Sequence, residues 1–153
     1  MPLNETPEII DWPACRVVYV EEVGQFETSI IQAWQSLCKH RETIEAETSI
    51  VGTLSLYQYA TEPKIFRAGF LVDVEPKTLL AGAHYLNFSG GRYARFTVIG
   101  SYSQLPEARE RVFQICKEKN FAVRSDDWTL QHYANSPESP EAELITEILV
   151  PVD

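Results

Sequence analysis

A single carboxylate interrupts the apolar run near the end of the chain. Glu147 lies within the segment LITEILVPV, residues 144–152, which otherwise has the composition of a buried strand. Burying an unpaired charge costs several kcal/mol, so a compensating partner is expected. Three arrangements are open from the sequence: exposure to solvent, an ion pair with an internal arginine such as Arg67 or Arg95, or a positively charged ligand.

Tyrosines alternate along the two segments that precede the final strand of each half. Because strand side chains alternate between faces, the middle strands divide into two sets. One set is Leu54, Leu56, Trp128 and Leu130, and the other is Tyr57, Tyr59, Gln131 and Tyr133. We expect Glu147 to share the face of the tyrosines. His132 falls with the leucines, where a lone histidine is expected to be structural.

A carboxylate that is partly removed from water among aromatic rings attracts cations. The pattern therefore predicts a cation site around Glu147, in which the ligand supplies the missing partner. The alternative is that the tyrosines are ordinary half-buried packing residues with their hydroxyls at the rim.

Two parts of the chain resemble each other. In each, a glycine and an aromatic residue precede an amphipathic helix, and two strands follow. The matched pairs are Gly24 with Gly100, Phe26 with Tyr102, Tyr59 with Tyr133, and Gly69 with Glu147. Each half thus reads strand, helix, strand, strand.

This duplicated βαββ pattern predicts an α+β fold with antiparallel sheet, helices on one side and a central ligand groove between the halves. The expected strands are Arg16–Val23, Thr53–Tyr59, Phe66–Val74, Tyr93–Gly100, Asp127–Ala134 and Leu144–Val152. We expect one domain over residues 1–153, with a first repeat at about 15–75, a second at about 91–153, and Glu75–Gly91 as the connection. Repeat symmetry and pattern place Phe26, Tyr57, Tyr59 and Trp128 in the groove wall.

The net charge of −9 and the pI near 4.8 argue against nucleic acid as a partner, because binding to it requires clustered Lys and Arg. They favour cations, although acidic surfaces also serve solubility. The three cysteines lack zinc-site spacing, and we expect no metal and no cofactor. No apolar run has the length of a membrane helix, and the polar start is not a signal peptide, so the cytoplasm is the expected location.

Three segments together resemble a known family. GGRYARFTVIGSYSQL (90–105) resembles its glycine-led strand and turn, and FRAGFLVDV (66–74) resembles its strand in which Ala-Gly precedes apolar residues and a valine. YANSPESPEAELITEILVPV (133–152) resembles its ending. The family is the GyrI-like small-molecule-binding domain, which is shared by the effector-binding domains of AraC-type and MerR-type multidrug regulators and by the stand-alone gyrase inhibitor.

The resemblance implies a duplicated, SHS2-like βαββ fold related by a pseudo-twofold axis, whose groove binds small, often cationic and aromatic compounds around a glutamate. That glutamate corresponds to Glu147, and Tyr133 and Tyr102 occupy recognisable motif positions. The regulators carry a helix-turn-helix domain, for which 153 residues leave no room. We therefore expect a stand-alone binding protein without direct DNA or membrane binding.

Two other functions stay open. Some relatives resemble hydrolases of electrophilic, cyclopropane-bearing natural products; here Glu147 would activate water while Tyr133 or Tyr102 donates a hydrogen bond. A gyrase-inhibitor-like interaction module would instead use acidic surface, such as Glu21–Glu22 or Glu42–Glu47, to contact a protein partner, although a solvated face is the simpler explanation of these runs.

Overall fold

A computed structural model describes residues 3–153. In chain order its elements are β1 (Glu8–Trp12), β2 (Cys15–Val23), α1 (Phe26–Lys39), α2 (Arg41–Glu45), β3 (Ile50–Gln58), β4 (Ile65–Val72), β5 (His84–Phe88), β6 (Gly91–Ile99), α3 (Leu105–Glu118), β7 (Thr129–Tyr133) and β8 (Ile145–Pro151). Two single-turn 3-10 helices lie at Tyr102–Gln104 and Glu141–Glu143.

The chain divides into two compact units. The N-terminal unit is Pro13–Gly90, and the C-terminal unit combines the segment ending at Trp12 with Gly91–Asp153. Each unit contains four antiparallel strands, in the order β3-β4-β2-β5 in the first and β1-β6-β8-β7 in the second. Helix α1 packs on β2 and β4, and α3 packs on β6 and β8. The predicted α+β fold with two βαββ repeats and helices on one side of the sheet is confirmed.

Both repeats have a glycine with a positive φ between the first strand and the helix. Gly24 and Gly100 have φ of 126° and 117°, a conformation that side chains with a Cβ rarely adopt. Each glycine N–H donates to the carbonyl just before the last strand of its repeat, Lys64 in one and Leu144 in the other, at 2.8 Å. The glycine thus turns the chain into the helix and ties the first strand to the last.

The predicted alignment is wrong by two residues in the later strands. Because Gly24 and Gly100 bond to Lys64 and Leu144, the position equivalent to Glu147 is Arg67 rather than Gly69. Ladder pairing agrees. Leu56 lies opposite Arg67, and His132 lies opposite Glu147. By the same register Tyr133 corresponds to Tyr57 rather than to Tyr59.

Each helix covers an apolar sheet face of its own unit. In the C-terminal unit the core includes Phe96, Val112, Ile148 and Val150, all almost fully buried. In the N-terminal unit the core includes Leu37, Ala68, Phe70 and Val72. Alternation along the third and last strands predicts that two apolar sets face the helices: Ala68, Phe70, Val72 and Val74 in one, and Thr146, Ile148, Val150 and Val152 in the other. Both sets are correct, except that Val74 lies beyond β4 and is exposed.

Two strands were not predicted. β5 lies within the supposed connection Glu75–Gly91 and pairs with β2. β1 lies in the polar start and pairs with β6, with Glu8 opposite Arg95. Within residues 3–153, no helix is long and apolar enough to cross a membrane.

Candidate functional site

Glu147 lies in the middle of β8, opposite Thr97 on β6 and His132 on β7. Its chain neighbour Ile148 belongs to the core under α3, so Glu147 projects from the other face of the sheet. Only 17% of its side chain is exposed. The sequence prediction of a largely buried carboxylate in this strand agrees with this placement.

The expectation that Glu147 lacks a protein partner is wrong. Its Oε1 lies 2.8 Å from His132 Nδ1, and its Oε2 lies 3.6 Å from Arg95 Nη1. Arg95 also contacts Glu8, with 3.1 Å between Nη2 and Oε2. Of the arrangements left open by the sequence, the pairing with Arg95 is therefore present. Arg67, the other candidate, instead pairs with Glu21 at 2.8 Å.

These contacts keep the Glu147 carboxylate ionised. The hydrogen bond with His132 lowers the pKa of Glu147 most, and the charges of His132 and Arg95 lower it further, although burial opposes them. A carboxylate held ionised away from bulk water exerts a stronger field on a nearby charge than an exposed one does.

His132 completes a small cluster on this face. Its ring meets the Trp12 indole edge-on, with centroids 5.2 Å apart and planes at 66°. About 23% of its side chain is exposed. Nδ1 is engaged by Glu147, whereas Nε2 has no hydrogen-bond partner among residues 3–153. We call Trp12, Arg95, His132 and Glu147 the Glu147 cluster.

The tyrosines of the C-terminal unit lie on the other face. Tyr133 is opposite Thr146, and both it and Tyr102 pack against the core under α3. Their rings are edge-to-face at 5.5 Å. The prediction that Glu147 and Tyr133 share a face is wrong, because Tyr133 alternates with His132 along β7.

Polar contacts fix Tyr133 in that position. Gln131 Nε2 donates to the Tyr133 hydroxyl at 2.8 Å, and Arg109 Nη1 donates to Gln131 Oε1 at 3.3 Å. Burial, followed by the neighbouring Tyr133, raises the pKa of Tyr102. The Tyr102 hydroxyl is buried and has no hydrogen-bond partner in the part of the chain that the structure describes.

The remaining aromatic candidates divide by unit. Phe26, Tyr57 and Tyr59 form one group against the core under α1, with Phe26 edge-to-face to Tyr57 at 5.2 Å and to Tyr59 at 5.3 Å. Trp128 lies half-buried immediately before β7. The Phe26–Tyr57 pair reproduces the Tyr102–Tyr133 pair, so the two repeats share an edge-to-face contact between an aromatic residue at the start of the helical segment and a tyrosine of the sheet.

A family model matches nearly the whole of the chain. The model of the GyrI-like small molecule binding domain matches residues 5–153. The chain belongs to this family. No curated protein matches the sequence significantly.

Solved structures share the fold of this GyrI-like domain. The EcmrR C-terminal domain superimposes with a TM-score of 0.79 at 16% identity, over 100% of this chain and 99% of that one. SAV2435 bound to tetraphenylphosphonium gives 0.76 at 15% identity, covering 96% and 93%. A hydrolase from Listeria innocua gives 0.62 at 13%, covering 98% and 93%. The chain spans 58% of the EcmrR chain in its DNA complex, where the TM-score is 0.78 and the identity 16%.

Sequence reasoning missed Trp12 and gave His132 no role in the site of this GyrI-like domain. Alternation had placed His132 on the face opposite Tyr133, and the ladder confirms that part. The error was in the faces assigned to the middle strands, because His132, and not Tyr133, lies opposite Glu147 across β7 and β8. Trp12 carried no signal, since β1 was not predicted. Among residues 3–153, no group of three or more His, Cys, Asp and Glu side chains is arranged to hold a metal ion.

The lowered pKa of Glu147 predicts an acid-sensitive contribution to stability. Since its usual pKa is 4.5 and the folded value is lower, the ionised carboxylate stabilises the fold fully above about pH 4.5. This contribution is lost as the pH falls through the folded pKa. Urea unfolding of the wild type and Glu147→Gln between pH 7 and pH 3 measures it.

We expect the stability difference between wild type and Glu147→Gln to shrink toward acid pH. Comparing the two proteins at each pH removes the effect of the other carboxylates. A difference that stays constant from pH 7 to pH 3 would show that the His132 and Arg95 contacts do not favour the ionised form.

Proposed function

We propose that this GyrI-like domain binds small cationic, amphipathic or aromatic compounds, and that Glu147 attracts their positive charge. The observation that carries the proposal is the charge balance around Arg95. Two carboxylates, Glu8 and Glu147, contact one guanidinium. These three side chains together carry one net negative charge.

Burial makes the inner carboxylate the stronger attractor. Glu8 is 69% exposed, whereas Glu147 is 17% exposed, so the field of Glu147 is less screened by water and salt. The Trp12 indole beside His132 adds an aromatic surface, and aromatic rings attract cations. The chain's net charge of −9 favours the approach of positively charged ligands.

The family and one structural neighbour support the ligand class. The family is a small-molecule-binding one, and SAV2435, which has this fold, is bound to the lipophilic cation tetraphenylphosphonium. That cation is therefore the natural first probe. Ligand contact with the aromatic candidates remains a prediction; these are Phe26, Tyr57, Tyr59, Tyr102, Trp128 and Tyr133.

Isothermal titration with tetraphenylphosphonium tests the proposal. We expect Glu147→Gln to bind about tenfold more weakly, because it removes about 1.4 kcal/mol of charge attraction while glutamine can still bond to His132. Glu138→Gln removes a carboxylate from the loop before β8 and is the control for net charge. Equal affinity of wild type and Glu147→Gln would contradict the role of Glu147, and no measurable binding by wild type would contradict the ligand class.

The gyrase-inhibitor-like function stays a prediction. A supercoiling assay with purified gyrase tests it directly. The hydrolase with Tyr133 as hydrogen-bond donor to a substrate at Glu147 conflicts with the geometry within the C-terminal unit, since the two side chains project from opposite sheet faces.

A further inference from the structure

The pair His132–Glu147 has the geometry of a general base. Glu147 is held ionised and can only accept, so the 2.8 Å contact to Nδ1 requires Nδ1 to carry the proton. The neutral imidazole then has its lone pair on Nε2, the nitrogen that no residue among 3–153 engages. Since 23% of the side chain is exposed, water can approach the His132 ring.

The other two histidines lack this arrangement. His84 lies on β5 with its ring 5.6 Å from that of Tyr19, and His40 follows the last turn of α1. Neither has a hydrogen bond to a carboxylate within residues 3–153. His132 is therefore distinguished by its acidic partner rather than by being a histidine.

We propose that His132 is a general base, oriented by Glu147, that hydrolyses small carboxylic esters with an aromatic leaving group bound at the Glu147 cluster. The inference rests on the proposed function, because that site must first hold the compound. The aromatic group suits the Trp12 indole, which lies edge-on to His132.

The reaction has two proton transfers. His132 Nε2 removes a proton from water while the water oxygen bonds to the acyl carbon. The tetrahedral intermediate then breaks its bond to the leaving oxygen, and the imidazolium returns the proton to that oxygen. The products are a carboxylic acid and a phenol or alcohol, and His132 is again neutral.

Glu147 is a positioning residue in this step. Its carboxylate fixes the tautomer of His132 and stabilises the imidazolium that forms during the reaction. Arg95, which contacts Glu147 at 3.6 Å and Glu8 at 3.1 Å, approaches the second oxygen of that carboxylate. Its charge adds to the hydrogen bond of His132, which lowers the pKa of Glu147 most.

Hydrolysis of p-nitrophenyl acetate by the full chain is the test. We expect His132→Asn to lose about 100-fold in kcat/KM, the effect of a positioned general base. His84→Asn is the matched control and should keep the wild-type rate. The wild-type reaction should be slower in D2O, since a proton moves from water in the rate-limiting step, whereas direct attack by the imidazole would not require this.

Glu147→Gln gives a readout that a purely structural role would not change. Without the negative charge the imidazolium is less favoured, so the midpoint of the pH–rate profile should shift to lower pH and kcat should fall. His132→Gln, checked for folding by circular dichroism, repeats the test if His132→Asn is unstable.

Retention of the wild-type rate by both His132 variants would overturn the inference, as would a wild-type rate no greater than that of free imidazole at equal concentration. Tetraphenylphosphonium titration of the same proteins separates this failure from failure of the proposed function. Binding of tetraphenylphosphonium without ester hydrolysis overturns only the proposed roles of His132 and Glu147 in hydrolysis. Loss of tetraphenylphosphonium binding with hydrolysis intact counts against the cation site.

Discussion

Glu147→Lys should destabilise the folded chain by about 3 to 5 kcal/mol, the cost of leaving a buried charge without its partner. The lysine ammonium would lie beside the Arg95 guanidinium, which now contacts Glu147 at 3.6 Å, and would lose the 2.8 Å bond from His132. Affinity for tetraphenylphosphonium should fall by at least about 100-fold, or roughly 3 kcal/mol. Urea unfolding and isothermal titration measure the two effects.

Glu8→Lys is the matched control because Glu8 contacts the same guanidinium from an exposed position. With 69% of the Glu8 side chain exposed, reversal there should change stability by no more than about 1 kcal/mol. If the two substitutions cost the same, burial of Glu147 does not set the strength of its interactions, and the basis of the proposed cation site fails.

Gly69→Ala should destabilise the chain by about 1 to 3 kcal/mol through overpacking. Gly69 lies in β4 between β2 and β3, and a Cβ built there would come within 2.6 Å of Val17 Cγ1 and 3.1 Å of the Leu54 carbonyl oxygen. Val17 and Leu54 are fully buried, so neither can move aside without disturbing the sheet. Chemical denaturation gives the free energy directly.

Gly52→Ala is the control in the same sheet. A Cβ at Gly52 would meet only the Leu71 side chain, at 3.1 Å to its Cδ1, and this flexible end can turn away, so a change within about 1 kcal/mol is expected. Combining Gly69→Ala with Val17→Ala should recover about 0.5 to 3 kcal/mol relative to the sum of the single changes. Strict additivity would rule out the Val17 contact as the cause.

The fold was predictable where local pattern and backbone requirement agree. Gly24 and Gly100 each have a φ that favours glycine, and each precedes an amphipathic helix, so the two repeat openings could be aligned from the sequence. The helix-facing sets of β4 and β8 followed from alternation alone. Because only one set of alternate residues in a strand can be buried against the helix, the apolar set identified that face correctly.

The site was less predictable because it depends on pairing between strands. Sequence similarity between the repeats matched Glu147 with Gly69. The equivalent hydrogen bonds accepted by the Lys64 and Leu144 carbonyls match Glu147 with Arg67 instead. A shift of two residues in the alignment leaves each side chain on the same face of its strand, but it changes which residues are paired across neighbouring strands. Trp12 lies on a strand whose partner, β6, is far along the chain, and no local pattern connects them.

The remoteness of β1 from β6 also constrains how the chain folds during synthesis. Glu8 and Arg95 are 87 residues apart, so the first strand leaves the ribosome long before the strand that holds it. Pro13–Gly90 contains β2, β3, β4 and β5, which pair with one another, so these strands can pair as soon as they emerge. The leading segment must therefore stay unpaired, with Trp12 uncovered, until translation has supplied the second repeat.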